Sequence, residues 1–289
     1  IADNYDILLS YPATAAIYLS DDFPKQPGEL VRNTDLAKTL RLVSEKGSDG
    51  FYRGPVAQSM VNAVQADGGS MTIEDLEGYL VSYRAPVRGS YRGYEIISAP
   101  PPSAGGVHVI ELLNIMETFD LAAMGQGTPE SLHAWAEAMK LAYADRAQFM
   151  GDSDFVAVPA AELASKAYAR ERFSQISLDR AEEEYGAGRP SAGDSGSTTH
   201  YSVIDSAGNM VACTKTINHF FGSGITAPGT GVLLNDQMDD FDKLPGKANS
   251  IEEHKKPLSS MSPTLLLKDG KPFATLGSPG GKRIISTMA

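Results

Sequence analysis

Thr198 and Thr199 stand where a stretch rich in Gly, Ser and Pro passes into a run of strand formers, Ser195-Gly196-Ser197-Thr198-Thr199-His200-Tyr201-Ser202. Threonine favours strands and serine favours linkers, so composition alone accounts for such a junction. The same residues also permit chemistry. If Thr198 attacks the peptide bond that precedes it, cleavage after Ser197 leaves Thr198 as a new N-terminus, whose amine can then serve as base for its own hydroxyl. An α-amine has a reference pKa near 8, so at physiological pH enough of it is neutral to accept a proton without a separate histidine.

Three other segments carry polar groups at spacings that suit a site. Gly277-Ser278-Pro279-Gly280-Gly281-Lys282-Arg283 lies between a strand-like and a helix-like run. It is one residue too short for a phosphate loop and has Arg283 where Ser or Thr is needed, but a glycine turn opening a helix can hold an oxyanion on its N–H groups. A plain strand-to-helix turn accounts for it equally well. Asn235-Asp236-Gln237-Met238-Asp239-Asp240-Phe241 lacks the glycine and distal Glu of a calcium loop. Its amides and carboxylates suit an ammonium group, or simply a solvated acidic loop. Leu258-Ser259-Ser260-Met261-Ser262-Pro263 offers hydroxyl and N–H donors suited to a carboxylate, or a polar turn. His108, His133, His200, His219 and His254 show no metal-ligand spacing and read as structural or surface residues. No GxSxG elbow occurs, and Cys213 reads as a small core residue.

The elements that must position these groups change character along the chain. Thr34 is a fitting N-cap for a helix with Leu36, Leu40 and Val43 on one face, closed by Lys46 and Gly47. Gly54-Pro55 opens a second helix carrying Val56, Met60 and Val64, and Thr72 with Asp75 resembles a capping box. Tyr91–Ser98 reads as one strand, ended by Pro100-Pro101-Pro102. Residues 105–119 read as an apolar helix, and Thr128-Pro129 starts another whose buried stripe is Leu132, Trp135, Met139 and Ala142. Arg180–Ser197 has no apolar period and reads as an exposed, mobile linker. Beyond it, hairpins are expected around Ser206-Ala207-Gly208-Asn209 and Lys268-Asp269-Gly270-Lys271, and Lys282–Met288 begins a helix. Helices followed by antiparallel strands argue an α+β class.

Composition narrows the function further. The 289 residues are 42% hydrophobic and 21% charged, enough apolar material for a substantial core. A net charge of −11 repels a phosphate backbone, which disfavours nucleic acid and acidic membrane surfaces as partners. No apolar run reaches the length of a membrane span, and a single cysteine allows no internal disulfide. The chain opens at Ile1 and stops at Ala289 inside a helical pattern, so it reads as part of something longer, with one domain rather than two.

Taken together, these segments resemble the γ-glutamyltranspeptidase family of N-terminal-nucleophile hydrolases. The likeness rests on Thr198–Val203, Thr216-Ile217-Asn218, Leu234–Phe241, Lys256–Thr264 and Gly277–Gly281, and upstream on Asp67-Gly68-Gly69, Tyr91–Glu95, Pro100–Gly106 and Tyr143-Ala144-Asp145-Arg146. It covers nearly the whole chain in order. It implies a four-layer αββα sandwich, with 1–197 as the C-terminal portion of a large subunit and 198–289 as the N-terminal portion of a small one, together one domain. It implies Thr198 as nucleophile, freed by self-cleavage after Ser197 and supported by Thr216. Asn218, Gln237 and Asp240 would hold the α-amino end of a γ-glutamyl group, Ser259 and Ser260 its α-carboxylate, and the N–H groups of Gly280 and Gly281 the oxyanion. No cofactor or metal is implied.

The chain departs from the family pattern in three ways. The large-subunit arginine that contacts the substrate carboxylate falls in a region this chain lacks. The stretch between Asp240 and Leu258 is short, so a lid over the site is reduced or absent. His219, Phe220 and Phe221 stand where smaller polar residues are common. The implied activity is transfer or hydrolysis of γ-glutamyl amides such as glutathione, with an amino acid, a peptide or water as acceptor, in a periplasmic or secreted setting. The alternatives are an acylase of the cephalosporin or polyglutamate-processing kind, and a silent protein that binds γ-glutamyl peptides.

Overall fold

A helix with no exposed residue, Gly105–Met116, organises the larger of two compact units. The computed structural model describes residues 1–183, 185–186 and 196–289, except for the side chain of Ser197. Most of the linker expected over Arg180–Ser197 therefore lies outside the described residues.

The larger unit comprises Arg84–Thr216 and Met238–Ala289. Its four-stranded antiparallel sheet runs in the order Lys271–Leu276, Thr264–Lys268, Tyr94–Ser98, Val87–Tyr91. Val107, Ile110 and Leu113 of the central helix pack with Ile96 and Leu266 of that sheet. The helix's opposite side, Leu112, Ile115 and Met116, meets Ala134, Ala138 and Leu141 of the long helix Pro129–Phe149. Enclosure from both sides explains why this helix is apolar almost all round. Gly89, cross-strand partner of Ile96, makes room for it, because a Cβ there would lie 2.4 Å from Ile110 Cγ2.

Two polar residues of the central helix, His108 and Glu111, belong to one buried cluster, while Asn114 donates to Ala164 O at 2.9 Å. His108 Nδ1 and Glu111 Oε2 are 2.5 Å apart, and Arg172 Nε lies 2.9 Å from Asp145 Oδ2. Burial pushes the Glu111 and Asp145 carboxyls up to about 7, and their mutual hydrogen bond lets the pair keep a proton. Burial, with the charge of Arg146 behind it, lowers His108 to about 3 and keeps it neutral.

The smaller unit comprises Ile1–Tyr83 and Ile217–Gln237. Its core joins Val56 and Met60 of the Gly54–Ala66 helix to Ala227 of a short ladder, Thr226–Ala227 with Val232–Leu233. The buried Thr14 hydroxyl donates to Gly224 O at 2.6 Å and accepts from Thr226 N–H at 2.9 Å. Each unit draws on segments from both sides of Thr198.

Local readings held where side-chain chemistry decides. Thr72 and Asp75 form a full capping box, Thr128 caps the long helix, and both expected hairpins are present. Asp269 and Gly270 turn the second hairpin with φ of 51° and 72°. Others need correction. The cap of the Thr34–Lys46 helix is Asn33, whose longer side chain reaches both Leu36 N–H and Gly231 O. Leu40 and Leu132 are exposed, at 59% and 60%; Thr39 and Ala134 take the inward positions beside them. The expected strand Tyr91–Ser98 is in fact the end of a hairpin, because Arg92 and Gly93 adopt φ of 47° and 86° and fold Tyr91 back on Tyr94. Cys213 is half-buried on its strand rather than part of the core.

The start of the central helix is closely packed. A Cβ on Gly106 would lie 2.3 Å from Ala99 O and 2.7 Å from Val87 Cγ2. Replacing a mid-helix glycine by alanine ordinarily gains about 0.5–1 kcal/mol, whereas overpacking costs about 1–3 kcal/mol. Backbone atoms set the clash here, so Gly106→Ala is expected to lower unfolding free energy in urea by about 1–2 kcal/mol. A gain in stability would show that the Ala99 strand end can withdraw.

Candidate functional site

The expected nucleophile lies on a hairpin formed by the strands Gly196–Ile204 and Met210–His219. Residues two apart on a strand share a face, so Thr198, His200 and Ser202 line up, opposite Thr214 and Thr216. Thr198 Oγ1 donates to Thr216 Oγ1 at 3.2 Å, and the next cross-strand pair joins His200 Nδ1 to Thr214 Oγ1 at 2.8 Å. His200 Nε2 lies 2.9 Å from Ser202 Oγ, which donates to Thr275 O at 3.0 Å and so ties the hairpin to the Lys271–Leu276 strand. Burial lowers the His200 pKa, in keeping with a structural rather than a charged role.

The glycine turn follows directly from that strand. A Cβ on Gly277 would sit 1.9 Å from His200 Nδ1, so only glycine lets the turn approach the Thr198 face this closely. Gly280 and Gly281 have φ of 133° and 56°, and Gly281–Arg283 forms a single 3-10 turn that runs into the helix Ile284–Met288. Two anchors fix this turn. Tyr143 OH donates to Lys282 O at 2.6 Å, and Ile285 is buried against the central helix. The turn packs against the strand that carries Thr198, with amide N–H groups at a helix start, where intrahelical acceptors are lacking.

The serine pair is held by the start of the central helix. Ser259 N–H donates to Pro102 O at 3.1 Å, and Ala104 N–H donates to Ser259 O at 2.9 Å, forming a short parallel bridge between Ser103 and Ser259. Ser103 Oγ donates to Met261 O at 2.6 Å. Ser259 Oγ accepts from Met261 N–H at 3.1 Å, and Ser260 Oγ accepts from the Arg146 guanidinium at 3.0 Å. Ser260 is 7% exposed.

Asp240 ends a 3-10 turn, Gln237–Asp240, and its carbonyl accepts from Asn249 Nδ2 at 2.7 Å. The stretch after it, expected to be too short for a lid, is fastened by its own bonds: Asp242 N–H to Asn249 O at 2.9 Å and Ser250 Oγ to Leu244 O at 2.7 Å.

Asn218 and Gln237 belong to the smaller unit. Asn218 is buried with φ of 74°, and its Nδ2 donates to Asp236 O at 3.3 Å. His219 clamps the same residue twice, with its N–H on Asp236 Oδ1 at 3.1 Å and its Nδ1 on Oδ2 at 2.6 Å. The sequence held a signal for this clamp, a histidine directly after Asn218 and an aspartate directly before Gln237, but their pairing emerges only from the fold. Arg146 was legible only as part of a motif; its contact with Ser260 spans more than a hundred residues. Among the described residues no cluster of His, Cys, Asp and Glu is arranged to hold a metal ion.

The chain is 43% identical to the glutathione hydrolase proenzyme of Escherichia coli K12 over 98% of its own length and 51% of that protein's. It is also 43% identical to the acylase ACY 1 proenzyme of Pseudomonas sp. strain SE83, over 98% of its own length and 50% of that protein's. The crystal structure of cephalosporin acylase from Bacillus halodurans superposes with a TM-score of 0.84 at 28% identity, over 94% of this chain and 50% of that one. That likeness confirms the expected α+β fold of the αββα, N-terminal-nucleophile-hydrolase class. The chain spans about half the length of the curated relatives it matches. The sequence profile of γ-glutamyltranspeptidases matches residues 1–289 throughout, and the chain belongs to the γ-glutamyltranspeptidase family.

Proposed function

We propose that the protein containing this chain is a γ-glutamyl transferase and hydrolase acting on glutathione-like amides, activated by its own cleavage between Ser197 and Thr198. The observation that carries this reading is the hydroxyl pair of Thr198 and Thr216, 3.2 Å apart at the head of a strand, with a glycine turn packed beside it. In the reaction, the freed Thr198 amine takes the proton from the Thr198 hydroxyl as its oxygen attacks the γ-carbonyl. The Gly280 and Gly281 N–H groups stabilise the oxyanion, and the leaving amine departs with a proton. Water or an acceptor amine then releases the γ-glutamyl group from the ester.

Asn218, Gln237 and Asp240 hold the substrate's amino group in this reading, and Ser259 and Ser260 its carboxylate. The two portions, 1–197 and 198–289, become parts of a large and a small subunit of one precursor. A periplasmic or secreted setting belongs to the proposal and rests on the family; among the described residues no helix is long and apolar enough to cross a membrane. An acylase activity is the second reading, favoured by the equal 43% identity to the ACY 1 proenzyme. Asp240 decides between them, because a carboxylate there suits a substrate that carries an ammonium group.

Three outcomes are expected. The mature protein contains a fragment whose N-terminal residue is Thr198, and Thr198→Ala leaves the chain whole and inactive while Thr198→Ser keeps part of both functions. A fragment starting elsewhere, found by N-terminal sequencing, refutes the nucleophile. Asp240→Ala costs about 2–5 kcal/mol in transition-state binding of a γ-glutamyl anilide, since the substrate ammonium loses its partner. An unchanged kcat/KM removes Asp240 from the site. With the stretch after Asp240 too short to cover the pocket, water competes well with acceptor amines and bulky leaving groups are tolerated. A steep fall in kcat/KM across leaving groups of increasing size, with and without a dipeptide acceptor, would mean that another element closes the site.

A further inference from the structure

Asn218 has a φ of 74°, in the left-handed region that most side chains avoid and that asparagine tolerates better than most. This residue and both its neighbours are tied to a single partner, Asp236. Asp236 N–H donates to Ile217 O at 3.3 Å, Asn218 Nδ2 donates to Asp236 O at 3.3 Å, and His219 N–H donates to Asp236 Oδ1 at 3.1 Å. The imidazole adds a fourth contact, its Nδ1 lying 2.6 Å from Asp236 Oδ2. A carboxylate oxygen accepts, so Nδ1 carries the hydrogen in this contact, in the neutral ring as in the protonated one. The grip therefore does not depend on the charge of His219. Both side chains are half-buried, which shields the contact in part from water.

One glycine lets the backbone bring these residues together. Gly222 N–H donates to His219 O at 2.9 Å and Ser223 N–H to Leu234 O at 3.1 Å, so the chain turns back along Leu234. A Cβ on Gly222 would lie 2.3 Å from Leu234 O, and its φ is 51°. The returning chain delivers Asp236 to Asn218, one residue before Gln237, whose N–H donates to Asn235 Oδ1 at 2.9 Å. For Asn218 the consequence is directional. The Asp236 carbonyl can only accept, so the amide presents its NH2 end there and its oxygen is set on the other side. An ammonium only donates hydrogen bonds, so that oxygen is the end of Asn218 it requires.

Resting on the γ-glutamyl reading above, we propose that His219 and Asp236 are positioning residues of the α-amino subsite: their clamp fixes the backbone turn at Asn218 and the direction of its amide. Without the clamp Asn218 can relax toward a negative φ, and its amide can turn its NH2 end to the substrate, where one donor would meet another.

The test compares two 4-nitroanilides on the full-length, self-cleaved protein: the γ-glutamyl compound and the glutaryl compound, which keeps the carboxylate and the scissile amide but lacks the α-amine. The ratio of their kcat/KM values measures recognition of the amine. His219→Ala is expected to lower this ratio about 5–20-fold and Asp236→Ala about 10–100-fold, mainly through KM of the γ-glutamyl compound. His219→Asn, whose Nδ2 takes the place of Nδ1–H, should restore most of it. In an Asn218→Ala background, His219→Ala should add little further loss. Equal losses on both substrates, an unchanged ratio, or an undiminished loss in the Asn218→Ala background overturn the proposal. If either alanine variant does not fold, Asp236→Asn decides, because it leaves one acceptor oxygen for two donors, and a ratio equal to the parent's overturns the proposal as well. Failure of the unsubstituted protein to cleave the γ-glutamyl anilide would instead remove the γ-glutamyl reading on which these roles depend.

Discussion

The close approach of the 259–262 loop to the first turn of the central helix is the constraint on which the larger unit depends. A Cβ on Gly105 would lie 2.2 Å from Ser262 Oγ and 2.5 Å from Met261 O, and one on Gly106 would strike the strand end at Ala99. With two glycines there, backbone meets backbone, and the Ser259 carbonyl and amide both find partners in the Pro102–Ala104 turn. The same helix then runs on beneath the sheet and buries Ile285. One helix start thus fixes the serine loop directly, while its body fixes the glycine turn.

Such enclosure has an electrostatic cost, met by the cluster around His108. Burying four acids and bases without compensation would be prohibitive, since an isolated charge in a poorly polarisable interior is strongly disfavoured. Here a neutral imidazole, a proton shared by two carboxyls and the Arg172 pair reduce the net buried charge. Removing one member would leave the others charged and unmatched, which makes the cluster a unit rather than a sum of pairs.

Much of this was legible in the sequence wherever a residue's own chemistry dictates its backbone. Thr72 with Asp75, Pro129 after Thr128, and Asp269-Gly270 each specify a cap or a turn within a few residues. Faces were less legible. Leu40 and Leu132 suit a helical stripe by spacing, but Thr39 and Ala134 face inward instead, Thr39 donating to Thr230 O at 2.8 Å and Ala134 packing in the cluster of Leu112 and Leu141, and only the fold sets which face is covered. The candidate site divides along the same line. Thr198, Thr216, Ser259 and Ser260 could be named as groups, whereas Arg146 behind Ser260, His200 against Gly277 and the His219–Asp236 clamp depend on segments brought together across the chain.

On the proposed reading, the Thr198–Thr216 contact also explains why the uncut chain should be dormant. Before cleavage the Thr198 nitrogen is a peptide amide and cannot act as a base; among the described residues the hydroxyl's partner is Thr216 Oγ1, 3.2 Å away, which is itself a poor proton acceptor. Cleavage changes no side chain. It converts that amide into an amine with a reference pKa near 8, next to a hydroxyl already oriented by its strand partner. Activation then requires little movement of the framework, because the hairpin from Thr198 onward, its tie to Thr275 and the packing of Gly277 against His200 all lie on the far side of the bond that breaks, and only Gly196 and Ser197 of that strand lie before it.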